Sequence, residues 1–468
     1  MSVHSKAPPR CVVIRPAVLI AFLSAHLLAG CGHTPPASDP GPDIPEAFSE
    51  AGASARPEAW WTAFNDADLT ATMDRALTEN LDLAGLRARY EAARATARRE
   101  AGARAPDLVL DAQTRRLNGG ESFDEGEDIS LNLASSWELD VWGRVDATVD
   151  AARFRALSQA EQVDAAAVSL TGQIARAWYA LAAARQQTAL AESQLSTNSQ
   201  LLTLLENRFA RGRVDSVDVL RQQREVEAAR ARRLQAAAEV ATTAQRLSVL
   251  TGGLPRADLP TQPDGFPELP ALPDTGMPLE LIRRRPDLRA AHAELAATDA
   301  DLVAAMAARY PRITLEVGAT AAANDAAALF DDWASRLASN VLAPLFAGGA
   351  LKAEVERTAA ERDLALYAYA SAVLTAFQEV ETALVREATA RDTLSSLQRQ
   401  VALTEEAFVR LRHRYLNGAD PYLAVVTALR DLQVLRRDAV SAQRALVNAR
   451  IDLHLALAGP VPQPDTVQ

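Results

Sequence analysis

The chain has 468 residues, room for roughly two to four ordinary domains, and its net charge of −11 argues against nucleic acid as a partner. Its composition is 49% apolar but only 5% aromatic, which suits close-packed, alanine-rich helices better than a bulky globular core. No apolar run of about eighteen residues follows the N-terminus, which excludes transmembrane helices there.

Residues 1–30 read as a signal peptide. Lys6, Arg10 and Arg15 form a basic start, and Pro16 to Gly30 is an apolar stretch too short to span a bilayer. It ends in Leu28-Ala29-Gly30-Cys31, which resembles a bacterial lipobox. The resemblance implies cleavage before Cys31 and a covalent lipid on it; an ordinary secretory signal containing a cysteine is the plainer alternative. Gly32 stands where inner-membrane retention signals resemble one another in carrying aspartate, so the expected destination is the outer membrane. Cys11 leaves with the signal, so the remaining cysteine has no internal disulfide partner. Loss of three basic residues and no acids takes the net charge from −11 to about −14.

Residues 31–66 read as a Pro-rich tether and equatorial segment. Of 24 prolines, nine lie in residues 1–57 and eight in 255–286, so long helices are confined to the proline-free stretches between. A first repeat at 67–252 opens with a helix expected over about 67–104. Strands follow at 107–116 and 128–139, where Leu108, Leu110 and Ala112 oppose Asp111, Gln113 and Arg115, and Ile129, Leu131, Leu133, Trp137 and Leu139 oppose Ser130, Asn132, Ser136 and Glu138. After Gly143 the period turns helical. Ala167, Leu170, Ile174, Ala177, Leu181, Ala184 and onward to Asn198, Leu202, Leu205 and Phe209 keep 3–4 spacing, predicting long helices at 145–210 and 214–252. An irregular linker at 253–278 separates a second repeat at 279–459, with strands at 312–321 and 333–345 and helices at 350–417 and 421–459; 460–468 is a tail.

The repeat is an internal duplication. Asp82-Leu83 matches Asp287-Leu288 and Pro106 matches Pro311 at an offset of 205, while RFARGRVDSVDVL (208–220) matches RYLNGADPYLAVV (414–426) at 206. LDVWGRV (139–145) echoes APLFAGGAL (343–351), with Trp142 set against Phe346 and two extra residues in the second copy.

Four strands cannot close a barrel, and an open edge in hydrocarbon leaves unpaired backbone groups costing several kcal/mol each. The strands therefore pool with other copies or stay out of the membrane as a half-exposed sheet. Physics alone does not choose between eight strands from two copies and twelve from three.

Together, Trp60-Trp61 with Phe64 and Leu69, NLDL (80–83), SWELDVWGRV (136–145), RFARGRVDSVDVL (208–220), RRRPDLRAAHAEL (283–295), PLFAGGAL (344–351), FQEVETAL (377–384) and RYLNGADPYL (414–423) are similar to the TolC-type outer-membrane efflux factors, in their OprM- and NodT-like lipoprotein branch. The resemblance runs from about Trp60 to Gly459; His292 departs from a usual glutamate-like residue, with no functional effect expected.

The resemblance implies a mixed α+β membrane protein: a trimeric 12-stranded outer-membrane β-barrel, four strands per chain, continuing into a periplasmic α-helical coiled-coil barrel. A belt around that tunnel would come from about 32–66, 253–278 and 455–468. It implies a passive exit duct for small molecules, fed by a periplasmic adaptor and an inner-membrane transporter, most often of the resistance-nodulation-division type. A type I protein-secretion duct and a lipid-anchored coiled-coil scaffold without a pore are the alternatives.

No catalysis and no cofactor beyond the lipid on Cys31 are expected. The histidines lack ligand spacing, and Lys352 in GGALKAE lacks the Gly-Lys-Ser/Thr of a phosphate loop. The two turns draw most attention. Gly212 and Gly418 let the chain reverse between helices, and a plain helical hairpin accounts for them equally well. By resemblance the turns form the periplasmic tip. Leu423 takes a gate leucine's place and Thr427 that of the gate aspartate, so a carboxylate ring would fall to Asp420 or Asp431. Arg430 is a candidate for ion pairing across the tip, and Val217 and Arg221 join the site from the first turn.

Overall fold

The computed structural model describes residues 45–54, 57–117, 126–256, 262–263 and 265–462. Cys31, with the signal segment and most of the tether, lies outside them, as does the Gly-rich loop at 118–125. The first repeat holds helices α1 (Ala67–Glu79) and α2 (Leu81–Ala101), strands β1 (Val109–Leu117) and β2 (Gly126–Leu139), and helices α3 (Arg144–Phe209) and α4 (Ser216–Leu250). The second holds α5 (Pro278–Arg284), α6 (Pro286–Ala307), β3 (Arg312–Ala323), β4 (Trp333–Leu342), α7 (Ala350–Leu416) and α8 (Tyr422–Leu457).

The helix expected over 67–104 is two helices and a 3-10 turn. At Asn80 the backbone swings to φ −65°, ψ 125°, and the side chain accepts from Leu83 N at 3.0 Å while donating to Leu250 O at 2.9 Å. Asparagine thus starts α2 and ties it to the end of α4. Arg285, 205 residues on, breaks the second repeat at φ −70°, ψ 124°, for the reason that Pro286 follows it and disfavours helical geometry.

The four strands form one antiparallel sheet in the order β1-β2-β3-β4, so the outer edges of β1 and β4 have no strand partner among the described residues. At about 1.5 Å per residue, the 66 residues of α3 and the 67 of α7 each extend about 100 Å. Helix α3 packs on α4, α6 and α2, and α7 packs on α8 and α6.

The corner between strand and long helix corrects an expectation. Gly143 (φ 75°) and Gly349 (φ 85°) immediately precede α3 and α7, 206 residues apart. The two repeats therefore keep one frame through the corner, at an offset of 206, with no inserted pair. Gly348 occupies the place of Trp142, and Phe346 that of Asp140. The apparent match of Trp142 with Phe346 aligned ring chemistry, whereas the positive-φ glycines fix the frame. The actual difference is that β4 ends at Leu342, short of the counterpart of Leu139.

The largest core lies where the equatorial segments meet the helices. Trp60, Trp61 and Phe64 pack with Met73, Ile174, Trp178, Tyr179, Ile451 and Val461. Asp66 caps α1 through Leu69 N (2.9 Å) and accepts from Trp178 Nε1 (2.8 Å), which fixes the N-terminal segment on α3. Residues 53–54 pair with the inter-repeat linker through Ala53 N to Leu272 O and Asp274 N to Ser54 O. Gly52 is required there, since a Cβ would lie 2.0 Å from Pro273 O.

Candidate functional site: the strand face and the helical tips

Register sorts the strand residues onto two faces. Leu110, Leu133, Ala319 and Ser335 lie in one cross-strand row, and Leu131, Ala321 and Trp333 in the next, on a face that is mostly apolar. The opposite face carries Asp111, Gln113, Arg115, Asp128, Asn132, Glu138, Arg312, Glu316 and Arg336. It is hydrogen-bonded across strands. Thr320 donates to Asn132 (3.0 Å), Arg336 pairs with Glu316 (3.3 Å), and Glu138 takes Arg144 through two bonds (2.9 and 2.7 Å) with Arg312 at 3.5 Å. A strand with one apolar and one charged face suits a wall between lipid and water. Among the described residues no helix is long and apolar enough to cross a membrane.

The wall meets the helices at a fastened corner. Asp140 accepts from Val145 N (2.9 Å) and Asp146 N (2.7 Å), an acidic cap on the N-terminus of α3. Trp142 donates to Pro311 O (2.7 Å) and stacks on Tyr310 with centroids 4.9 Å apart, tying the first repeat's corner to the second repeat's strand entrance.

At the far end, the two tips share one geometry. Gly212 (φ 66°) and Gly418 (φ 78°) end α3 and α7, with Arg213 N bonded to Arg208 O and Ala419 N to Arg414 O, both 2.9 Å. These bonds satisfy end carbonyls that a helix leaves open. Leu205, Tyr415, Tyr422 and Val425 make a small core, and the Arg208 guanidinium sits 4.7 Å above the Tyr415 ring.

The sequence-derived tip residues do not form one cluster. Leu423, Thr427, Arg430, Asp431 and Val434 share an exposed face of α8, and among the described residues Arg430 and Asp431 make no ion pair within the chain. Asp420 is taken by Arg414 at 2.6 and 3.1 Å. Val217 is exposed on α4, and Arg221 reaches Asp218 at 3.4 Å.

A buried polar group next to this face escaped the sequence reading. The Tyr422 hydroxyl donates to Gln222 Oε1, and Gln222 Nε2 donates to Asn198 O (2.8 Å) and Oδ1 (3.1 Å). Asn198 Nδ2 donates in turn to Gln194 O, and Arg437 reaches Gln194 Oε1 at 3.0 Å. Burial pushes the Tyr422 phenol up, with nearby Asp218 adding to it. Asn198 in a mostly apolar 3–4 pattern was the available signal, since a polar residue on a helical seam commonly fixes register.

The family described as outer membrane efflux protein matches residues 72–253 and 277–459. The pyoverdine export outer membrane protein OpmQ of Pseudomonas aeruginosa is 32% identical over 94% of this chain and 96% of its own length. The outer membrane protein OprJ of the same organism is 30% identical over 94% and 95%. Among solved structures, the outer-membrane channel OprN superposes with a TM-score of 0.82 at 27% identity, covering 91% of this chain and 99% of its own.

Proposed function

The chain belongs to the outer membrane efflux protein family, and from that premise we propose how its parts work as an exit duct. It is the outer-membrane channel of an efflux pump, and three copies pool four strands each into a twelve-stranded barrel that continues into a periplasmic helical tunnel. The observation that carries the reading is the four-stranded sheet with two open edges, one charged face and a rigid glycine corner into each of two very long helices. An open-edged sheet is unstable in lipid unless closed by other copies, and the charged face then becomes the hydrated wall.

The duct is passive, and energy enters from an inner-membrane transporter of the resistance-nodulation-division type through a periplasmic adaptor that docks on the tips. Cys31 carries the lipid that holds the N-terminus at the membrane. Acidic, basic and neutral polar groups are mixed on the wall, so it passes solutes without strong selection by charge. The free face of α8 lines the closed tip, with Leu423 as the narrowing residue. Thr427 removes the usual carboxylate and Arg414 occupies Asp420, which leaves Asp431 beside Arg430 as the charged pair offered to a neighbouring helix.

The reading is tested in planar bilayers. The purified chain should conduct ions in steps, and Leu423→Ala and Arg430→Ala should each raise the conductance of the closed state. Unchanged conductance in both variants removes these residues from the gate; absence of any conductance in the parent chain overturns the duct.

A further inference from the structure

The exposed face of α8 that carries Leu423, Thr427, Arg430 and Val434 runs on up the helix. Arg437, Ser441 and Arg444 continue it in steps of three and four residues. Arg430, Arg437 and Arg444 are spaced by seven, so each drifts only about 20° round the helix from the last.

Contacts with the equatorial belt show which way this stripe points. Arg450 lies nine residues beyond Ser441, about 180° round the helix, and donates to Pro270 O (2.7 Å) and Ala271 O (3.3 Å) of the inter-repeat linker. Helix α3 agrees. Thr171, Trp178 and Arg185, also spaced by seven, bond to Trp60 Nε1 (3.1 Å), Asp66 (2.8 Å) and Pro263 O (3.3 Å) of the belt. Ala180 and Gln187 stand nine residues beyond Thr171 and Trp178, on the opposite side of α3. A belt wraps the outside of a tunnel, so these opposite faces line the bore.

On that inner side α3, α4 and α8 enclose a groove of about 500 Å³. Its floor on α3 is uncharged. Its walls carry Arg232 of α4 and Arg437 and Arg444 of α8, with Glu239 the carboxylate among them. Arg437 is bonded to the neutral Gln194 (3.0 Å), and among the described residues neither Arg232 nor Arg444 makes an ion pair. Burial and the neighbouring Arg232 push the Arg437 guanidinium below its usual range, against the pull of Asp438. Arg386 of α7 lines a second groove on the same side of α8, of about 400 Å³, where Asp452 is already taken by Arg176 (2.5 Å). Four arginines thus face two carboxylates, Glu239 and Asp438, an excess of two charges per chain and six in three copies. Nearer the tip, Arg430 is offset by Asp431.

We propose that this basic stretch of the bore passes anionic solutes, those bearing carboxylate or phosphate groups, ahead of cations. The proposal rests on the duct reading and adds a class of solute to it. A guanidinium takes an oxyanion through two parallel hydrogen bonds, and a groove lined by one sign of charge concentrates the opposite ion. The mixed strand wall has no such excess, so selection by charge falls to the helical tunnel.

Reversal potentials of the full chain in planar bilayers, under a potassium chloride gradient, test the assignment. The parent should favour chloride, and Arg232→Gln with Arg444→Gln should lower the chloride-to-potassium permeability ratio at least about threefold. Arg232→Lys with Arg444→Lys keeps the charge and should keep the ratio. Arg436, fourteen residues before Arg450 and on its face of α8, pairs with Glu405 (2.8 Å), so Arg436→Gln removes a charge outside the bore and should leave the ratio unchanged. A parent that favours potassium overturns the proposal while the duct reading stands. So does a ratio that the paired glutamines leave unchanged, or one that Arg436→Gln or the paired lysines lower as much. A parent without conductance overturns both.

Discussion

At the residue scale, two buried polar groups of α8 hold the equator together. Arg450 bonds to Glu387 through two bonds (2.9 and 2.5 Å) and to Pro270 O (2.7 Å), with both charged side chains nearly inaccessible to water. Such a pair adds little over apolar packing, but removing Arg450 leaves the buried Glu387 with the half-exposed Arg391 (2.8 Å) as its remaining partner, at a cost of up to about 3–5 kcal/mol. Arg450→Met should therefore lower the thermal transition markedly, and Arg450→Met with Glu387→Leu should recover much of the loss; calorimetry separates the two. One turn on, His454 lies nearly parallel to Trp60 at 5.6 Å and against Phe64 at 5.7 Å. Burial, with Arg450 nearby, pushes its imidazole down to about 4. The folded value lies below the unfolded one, so its contribution to stability is complete above about pH 6.5 and is lost as the pH falls from there toward 4. At pH 5 the penalty is about 2 kcal/mol per chain. Thermal transitions at pH 7.5 and 5 should differ less for His454→Phe than for the parent; an equal difference would remove His454 as its source.

At the scale of elements, turns and joins carry the function. The Tyr422–Gln222–Asn198 chain joins α8, α4 and α3 beside the proposed gate face. Tyr422→Phe leaves a buried amide oxygen without its donor, a loss of about 1–3 kcal/mol. The closed tip should loosen, seen as more frequent openings in single-channel records without a change in open conductance. Gly52→Ala forces a methyl group into the Pro273 carbonyl and should release the N-terminal segment from the linker, read as faster proteolysis near residue 52. Elements were largely legible in the sequence because their causes are local. Alternation marked the strands, 3–4 spacing marked α3, and Gly212 and Gly418 marked the reversals. At Asn80 the local part, its cap on Leu83 N, was open to sequence reading, but its tie to Leu250, 170 residues away, was not.

At the scale of the whole molecule, the four-stranded sheet is an open wall that only further copies close. The unboiled chain should run as a trimer on a detergent gel and convert to monomer on heating. A single monomer band under both conditions would contradict the pooled barrel. The sequence alone determined the duplication, the two-faced strands, the long helices and the family resemblance, since each rests on residue order and short-range periodicity. Tertiary structure decided the rest: the strand order that leaves β1 and β4 as open edges, the tie of Asn80 to Leu250, and the buried chain from Tyr422 through Gln222 to Asn198. These depend on which distant residues meet. A linear pattern records that a strand has a wet face, but not which strand lies beside it.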